Sequence, residues 1–164
     1  MEKTFVGFVA IMMLVFLTSG SCRKQPVPAP EEAHFEVMDL SGQPLENNHV
    51  FTFSVSDSDR TVVLVIKNTT HQTVHLKTQL VEVNGTDGSQ MEFCFKDCYM
   101  GMTPGTEYPL TGTLDIAALG VTPVNAVHYT DHSDGAVEYT IDIYEVDESG
   151  NKTGQAFRFK YKTQ

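Results

Sequence analysis

Tryptophan is absent from this chain of 164 residues, and basic residues are scarce, since 11 lysines and arginines stand against 21 aspartates and glutamates. The formal net charge is −10, and the isoelectric point is about 4.9. Proteins that bind nucleic acids use clustered lysine and arginine side chains to neutralise phosphates. The sequence therefore predicts no nucleic-acid partner.

Recognisable catalytic and cofactor motifs are also missing. The six histidines are scattered, with no His-x-His or His-Glu-x-x-His spacing of the kind that holds catalytic zinc. There is no Gly-rich phosphate loop, no nucleophile elbow and no paired-carboxylate context. We therefore expect no enzyme activity and no cofactor. The alternative, an enzyme of unknown type, would require a buried polar cluster that the sequence does not reveal.

The apolar run near the N-terminus is too short to span a membrane. It covers residues 5–17, and four small residues separate it from Cys22. This arrangement is typical of a loose bacterial lipoprotein signal over residues 1–21, with Cys22 as the acylated first residue of the mature chain. We expect a lipid-anchored protein of the bacterial cell envelope, at the outer membrane. The alternative is an ordinary secretory signal, which would leave Cys22 a free thiol.

Residues 22–32 have the composition of a spacer. Pro26, Pro28 and Pro30 alternate with other residues, which favours an extended, polyproline-like tether. The remaining residues, 33–164, are numerous enough to form one domain with its own hydrophobic core. The predicted organisation is a signal, a tether anchored at Cys22 and a single domain.

The body of the chain lacks helical periodicity but alternates apolar and polar residues repeatedly. Alternation is clear at residues 51–55, 74–80, 137–143 and 157–161, with turn residues between these segments. Residues 62–66 are apolar at every position, as in a central strand. The phase of the alternation changes between Leu80 and Val81, which predicts a bulge or a bend. One short helical turn is expected at residues 115–120.

These segments predict an all-β fold, an antiparallel Ig-like β-sandwich of seven to nine strands. True immunoglobulin domains have a core tryptophan and a widely spaced cysteine pair. This chain has no tryptophan, and its two body cysteines are four residues apart. We therefore expect this chain to resemble immunoglobulin domains only in its sandwich architecture.

The last two strands predict their own register. A hairpin centred on Gly150 places apolar residues opposite each other on one face and opposite charges on the other, and both kinds of pair stabilise a sheet. A slip by one residue would invert both faces. The predicted pairs are Ile143–Phe157, Ile141–Phe159 and Tyr139–Tyr161 on the core side, and Asp142–Arg158 and Glu138–Lys162 on the outer side.

Cys94 and Cys98 lie within the segment FCFKDCYMGM. Residues four apart in one strand are about 13 Å apart, whereas a disulfide requires Cα atoms within roughly 7 Å. The chain must therefore turn at Lys96 and Asp97 if the two cysteines are bonded, with Phe93 and Phe95 facing the core. In an oxidising compartment we predict a structural disulfide that shapes this loop.

A metal site is the alternative use of this region. Thiolates and thioethers suit Cu(I), and Met100 and Met102 follow the cysteines, with His128 or His132 as further candidates. Aspartate-rich turns occasionally hold Ca²⁺. They more often serve turn geometry. The calcium candidates are Asp131 and Asp134 in one turn, and Asp57 and Asp59 in another.

Several of these features together resemble the small lipid-anchored, Ig-like proteins of Bacteroidetes such as Bacteroides and Porphyromonas. They are also similar to the β-sandwich modules of larger surface proteins from those bacteria. The features are the loose signal ending at Cys22, the CFKDC pair, and His128-Tyr129 followed by Gly135 and the strand over residues 137–141. The resemblance implies the envelope location, the sandwich fold and an accessory or adhesive role. It supplies no catalytic residues.

We therefore expect a non-enzymatic envelope lipoprotein that binds another protein or a glycan through its loops. Its membrane contact would be the lipid on Cys22. The rival is a periplasmic module that binds copper or calcium.

Overall fold

The computed structural model describes residues 33–164, which form two packed β-sheets without a helix in that range. Cys22, the predicted signal and the predicted tether lie outside the described residues. The eleven strands are β1 Phe35–Met38, β2 His49–Phe53, β3 Thr61–Asn68, β4 Val74–Asn84, β5 Met91–Phe95, β6 Asp97–Met100, β7 Glu107–Tyr108, β8 Leu114–Ile116, β9 Val127–Asp131, β10 Glu138–Val146 and β11 Lys152–Thr163.

The strand order defines the two layers of the sandwich. Sheet 1 has the order β1-β3-β9-β5-β6. Sheet 2 has the order β2-β11-β10-β4-β7, and β8 also pairs with β4. The all-β, Ig-like sandwich is confirmed. The described residues contain eleven strands rather than seven to nine, because β6, β7 and β8 have only two to four residues each.

Two local expectations were wrong. The pair β2–β11 is parallel in an otherwise antiparallel fold. Residues 115–120 do not form a helical turn, because β8 takes up Asp115 and Ile116 and a non-helical turn follows. Alternation of apolar residues is the same in parallel and antiparallel strands, so it could not reveal the parallel pair.

The predicted hairpin register is confirmed for all five pairs. Nearer the turn, a bulge between Ile143 and Glu145 shifts the register of the hairpin. As a result, Glu145 pairs with Thr153. The predicted irregularity in β4 is also a bulge. Leu80 pairs with Ile141 and Glu82 pairs with Thr140, so Val81 is the extra residue.

Tyrosine and phenylalanine fill the core that lacks tryptophan. The largest fully buried side chains include Tyr129, Tyr139, Tyr161, Phe93 and Phe159. Burial raises the pKa of Tyr161 to about 12. Its hydroxyl donates to the backbone oxygen of Arg60 at 2.7 Å, and that of Tyr139 donates to Asp131 at 2.6 Å. The buried phenols therefore have hydrogen-bond partners, as buried polar groups require.

Candidate functional site

The cysteine segment forms a tight hairpin between β5 and β6. Cys94 and Cys98 lie directly opposite each other, their Cα atoms are 4.0 Å apart, and their sulfurs are bonded. The chain reverses at Lys96, whose φ is 68°, a left-handed value. The predicted disulfide is confirmed, but the reversal needs Lys96 alone, since Asp97 already pairs with Phe95.

This disulfide lies on the outer face of sheet 1. Phe93 and Phe95 are fully buried toward the core, so Cys94 between them projects to the other side. Cys94 is opposite His128 in β9, and His128 is opposite Val63 in β3. A row that runs across the sheet therefore carries a valine, a histidine and the disulfide.

The neighbouring row on one side of the same face is apolar, whereas the row on the other side carries Thr61, Thr130, Glu92 and Met100. Met38 in β1 is opposite Val65 in β3, and both are half-buried. Val121, which is exposed, pairs with Lys67 at the end of β3. We call Met38, Val63, Val65, Val121 and the Cys94–Cys98 disulfide the apolar face. The described strands form only the two sheets, so none of them makes a third layer over this face.

His128 is held in one orientation at the centre of the apolar face. Its Nδ1 lies 2.9 Å from the backbone oxygen of Asn125, and because that oxygen can only accept, Nδ1 carries the proton. The imidazole is thereby fixed against its own loop. Its neighbours across the sheet in the same row are Val63 and Cys94.

The outer face of sheet 2 has the opposite character. Arg158 donates to both carboxylate oxygens of Asp142, at 2.7 and 2.8 Å, and Asp142 is buried. Lys160 donates to Glu138 at 2.5 Å, and this hydrogen bond lowers the pKa of Glu138. Glu138 is opposite Lys162 in the register, but its ion pair is with the diagonal neighbour Lys160.

Asp131, one of the calcium candidates, is part of a buried polar network. Its carboxylate accepts hydrogen bonds from Tyr139, from the hydroxyl of Ser133 at 2.8 Å and from the backbone N–H of Ser133 at 3.0 Å. Arg60 lies 3.9 Å away and supplies a compensating charge. These contacts occupy the carboxylate and close one end of the sandwich.

The other metal candidates are dispersed over the described part of the chain. Met100 is 65 % exposed on β6, whereas Met102 is 1 % exposed in the core. His132 pairs with Glu92 at 2.9 Å, and Asp134 is exposed. Within residues 33–164 no group of three or more His, Cys, Asp or Glu residues could hold a metal ion. The disulfide also removes both thiolates of the proposed copper set.

The second pair of calcium candidates has a local role. Asp57 accepts from the backbone N–H of Ser54 at 2.7 Å, and Asp59 accepts from that of Thr61 at 3.0 Å. Aspartates that accept from nearby backbone N–H groups stabilise turns. The structure thus uses both residues to shape the loop before β3.

One polar cleft contains a histidine that sequence reasoning did not single out. His75 Nδ1 lies 2.8 Å from Asp115, which also accepts from the Thr113 hydroxyl at 2.6 Å. Partial burial opposes ionisation, but the hydrogen bonds from Thr113 and His75 hold the pKa of Asp115 below its usual value. The cleft has a volume of about 510 Å³. No feature of the sequence predicts the contact between His75 and Asp115, because the two residues meet only through the pairing of β4 with β8.

A second cleft, of about 360 Å³, lies between the two sheets at β1 and the start of β11. Phe35, Leu45 and Phe157 supply its apolar walls. No helix in the described part of the chain is long and apolar enough to cross a membrane.

A comparison with protein-family models finds no match, and a search of characterised protein sequences finds no relative. Among solved structures, the N-terminal domain of PorA is similar at 15 % identity and a TM-score of 0.45, over 79 % of this chain and 97 % of that one. The PapD-like domain 7 of human CEP192 is similar at 15 % identity and a TM-score of 0.41, over 96 % of both chains. At this level of likeness neither neighbour carries an argument about function.

Proposed function

We propose that this protein is a non-enzymatic lipoprotein of the bacterial cell envelope, anchored through Cys22 at the outer membrane, whose sandwich binds a partner protein through the apolar face. The observation that carries the proposal is the pattern of β3. Val63 and Val65 alternate with the fully buried Leu64 and Ile66, so the strand is apolar on both sides. Only one of those sides faces the core.

The chemistry of the face favours a protein over a glycan. Sugar sites commonly use aromatic side chains that are open to solvent. Within residues 33–164 every phenylalanine and tyrosine is buried or half-buried. Apolar patches with a polar rim are instead typical of surfaces that bind proteins. Glu36, Lys67 and Glu92 supply such a rim here.

The sequence pattern alone pointed to the loops as the binding surface. The loops of the described region, however, are largely occupied by their own hydrogen bonds, as at Asp39, Asp57, Asp131 and Asp147. Groups that are already satisfied have less to gain from a partner. The sheet face has half-buried apolar side chains and the exposed Val121, and burial of their remaining apolar surface would contribute roughly 25 cal/mol per Å².

Site-specific photo-crosslinking in cells tests the proposed surface. A photoreactive residue at Val65 should give a discrete adduct with another protein, and one at Val81 on sheet 2 should not. Val81 is the matched control because it is a partly exposed strand valine on the other sheet. A partner identified this way should bind Val65→Lys at least about tenfold more weakly than the wild type. Equal adducts at both positions, or none at Val65, would contradict the proposal.

The anchor requires a separate test. Metabolic labelling with palmitate should mark the wild-type protein and should fail with Cys22→Ala. An unlabelled wild type would show that the residue is not acylated and would favour the ordinary secretory signal. The result does not bear on the apolar face, so the two parts of the proposal can fail independently.

A further inference from the structure

The edge strand β2 differs from the other strand edges of the molecule. Its sequence is HVFTF, and residues 47–56 around it contain no Asp, Glu, Lys or Arg. Within residues 33–164 it pairs only with β11, so one side of its backbone has no strand neighbour. Val50 is 47 % exposed on the outer side, and Phe51 and Phe53 are half-buried on the inner side.

Sheet edges with unpaired backbone groups invite another strand, and proteins usually protect them with short strands, charges, prolines or covering loops. The edge of β1 is covered by its own loop, since Leu45 N–H donates to the Val37 oxygen at 2.8 Å and Met38 bridges to Pro44. In contrast, none of these protections is present along β2.

Three further edge strands are short and charged. Strand β6 has four residues and begins with Asp97. Strand β7 has two residues, including Glu107, and Pro109 follows it. Strand β8 has three residues with Asp115 at its centre. Strand β2 has five residues and contains no charged residue and no proline.

The charge distribution indicates which strand fits this edge. Two copies of a chain with a net charge of −10 repel each other over most of their surfaces. An antiparallel pair of β2 strands about a two-fold axis would place the uncharged residues 47–56 of one copy against the same residues of the other. With Val50 at the two-fold axis, Val50 would lie opposite Val50 of the other copy and Phe51 opposite His49, and aromatic or β-branched pairs across strands are favourable.

We propose that two copies of this protein associate through antiparallel pairing of their β2 strands, which joins sheet 2 of one copy to sheet 2 of the other. The contact is isologous, as in most symmetric dimers. The inference goes beyond the proposed function and does not depend on it, because β2 and the apolar face belong to different sheets. A dimer of this kind would leave the apolar face of both copies free.

The test measures the mass of the protein, as purified from cells, by light scattering over roughly 1 to 100 µM. The wild type should show a monomer–dimer equilibrium. Val50→Lys places two positive charges next to the two-fold axis and should raise the dimer Kd at least about tenfold. Val81→Lys, which changes a valine of similar exposure, 41 %, should alter it less than about twofold.

Hydrogen exchange of the wild type provides a readout that needs no variant. Amides of β2 should exchange more slowly at the high protein concentration than at the low one, because pairing protects the exposed edge. A wild type that stays monomeric over the whole range would overturn the proposal. So would exchange that is independent of concentration, or a dimer that Val81→Lys dissociates and Val50→Lys does not.

Discussion

The two outer faces of the sandwich are built from the same kind of alternating strand, yet they are stabilised in different ways. On sheet 2 the outer positions of β10 and β11 form ion pairs, Arg158–Asp142 and Lys160–Glu138. On sheet 1 the two middle outer positions of β3 are Val63 and Val65, and the covalent link Cys94–Cys98 joins the two strands at the edge. The charged side chains of sheet 2 therefore find their partners within the molecule. The apolar side chains of sheet 1 keep some surface that a partner protein can bury.

Removing one partner of the Arg158–Asp142 ion pair, in which only the aspartate is buried, should produce the largest effect. Arg158→Leu leaves the carboxylate of Asp142, 9 % exposed, without its two charged hydrogen bonds. We expect the free energy of unfolding to fall by about 2 to 3 kcal/mol, measured by urea denaturation at pH 7.

Lys162→Leu is the matched control for this variant. It removes one positive charge from the same face of β11, and Lys162 makes no ion pair within the described residues. Its stability should stay within about 0.5 kcal/mol of the wild type. Equal losses for the two variants would mean that net charge, and not the Arg158–Asp142 pair, stabilises the charged face.

Register was the most predictable part of this fold because two independent signals agreed on it. The β10–β11 hairpin combines alternating aromatic residues with alternating charges, and only one pairing satisfies both. The disulfide was predictable for a similar reason, since strand geometry forces a turn if the sulfurs are to meet. By contrast, β6, β7 and β8 are too short to show any periodicity.

The candidate site was only half predictable. An apolar residue at every position from 62 to 66 indicated a central strand, and β3 does lie between β1 and β9. The same pattern cannot distinguish an outer face covered by another layer from one open to a partner. Long-range contacts were equally hidden, as with Asn68, whose buried side-chain amide donates to the backbone oxygens of Gln72, Ile116 and Ala117.

Breaking the disulfide tests how the edge of the apolar face is stabilised. The double variant Cys94→Ser, Cys98→Ser removes the closure of a five-residue loop, which the chain-entropy model values at about 2 kcal/mol. We expect the free energy of unfolding, measured by urea denaturation, to fall by that amount. The packing of Phe93 and Phe95 in the folded core should not change. Reductant should lower the wild type to the level of the variant and should leave the variant unchanged.

Two results would alter this view of the edge. If the double variant were as stable as the wild type, the hairpin would be fully specified by Phe93, Phe95 and the turn at Lys96. If the variant instead lost its β-sheet signal altogether, the disulfide would be required for folding. In either case the contrast between an ion-paired face and a covalently linked face would need revision.

The exposed ion pair of the charged face should give the smallest effect, and pH provides its signature. The hydrogen bond from Lys160 lowers the pKa of Glu138 below its ordinary value of 4.5 in the folded state. A carboxyl group with a depressed folded pKa stabilises the protein above its unfolded pKa, and that contribution disappears as the pH falls through the folded pKa. Glu138→Gln should therefore lower Tm by about 1 to 2 °C at pH 7 and leave it unchanged near pH 2.

Glu148→Gln in the exposed β10–β11 turn should change Tm little at either pH, because none of the ion pairs within residues 33–164 includes Glu148. A difference between wild type and Glu138→Gln that persists in acid would show that the glutamate acts through packing, and the charged face would then resemble the apolar one more closely than the ion pairs indicate.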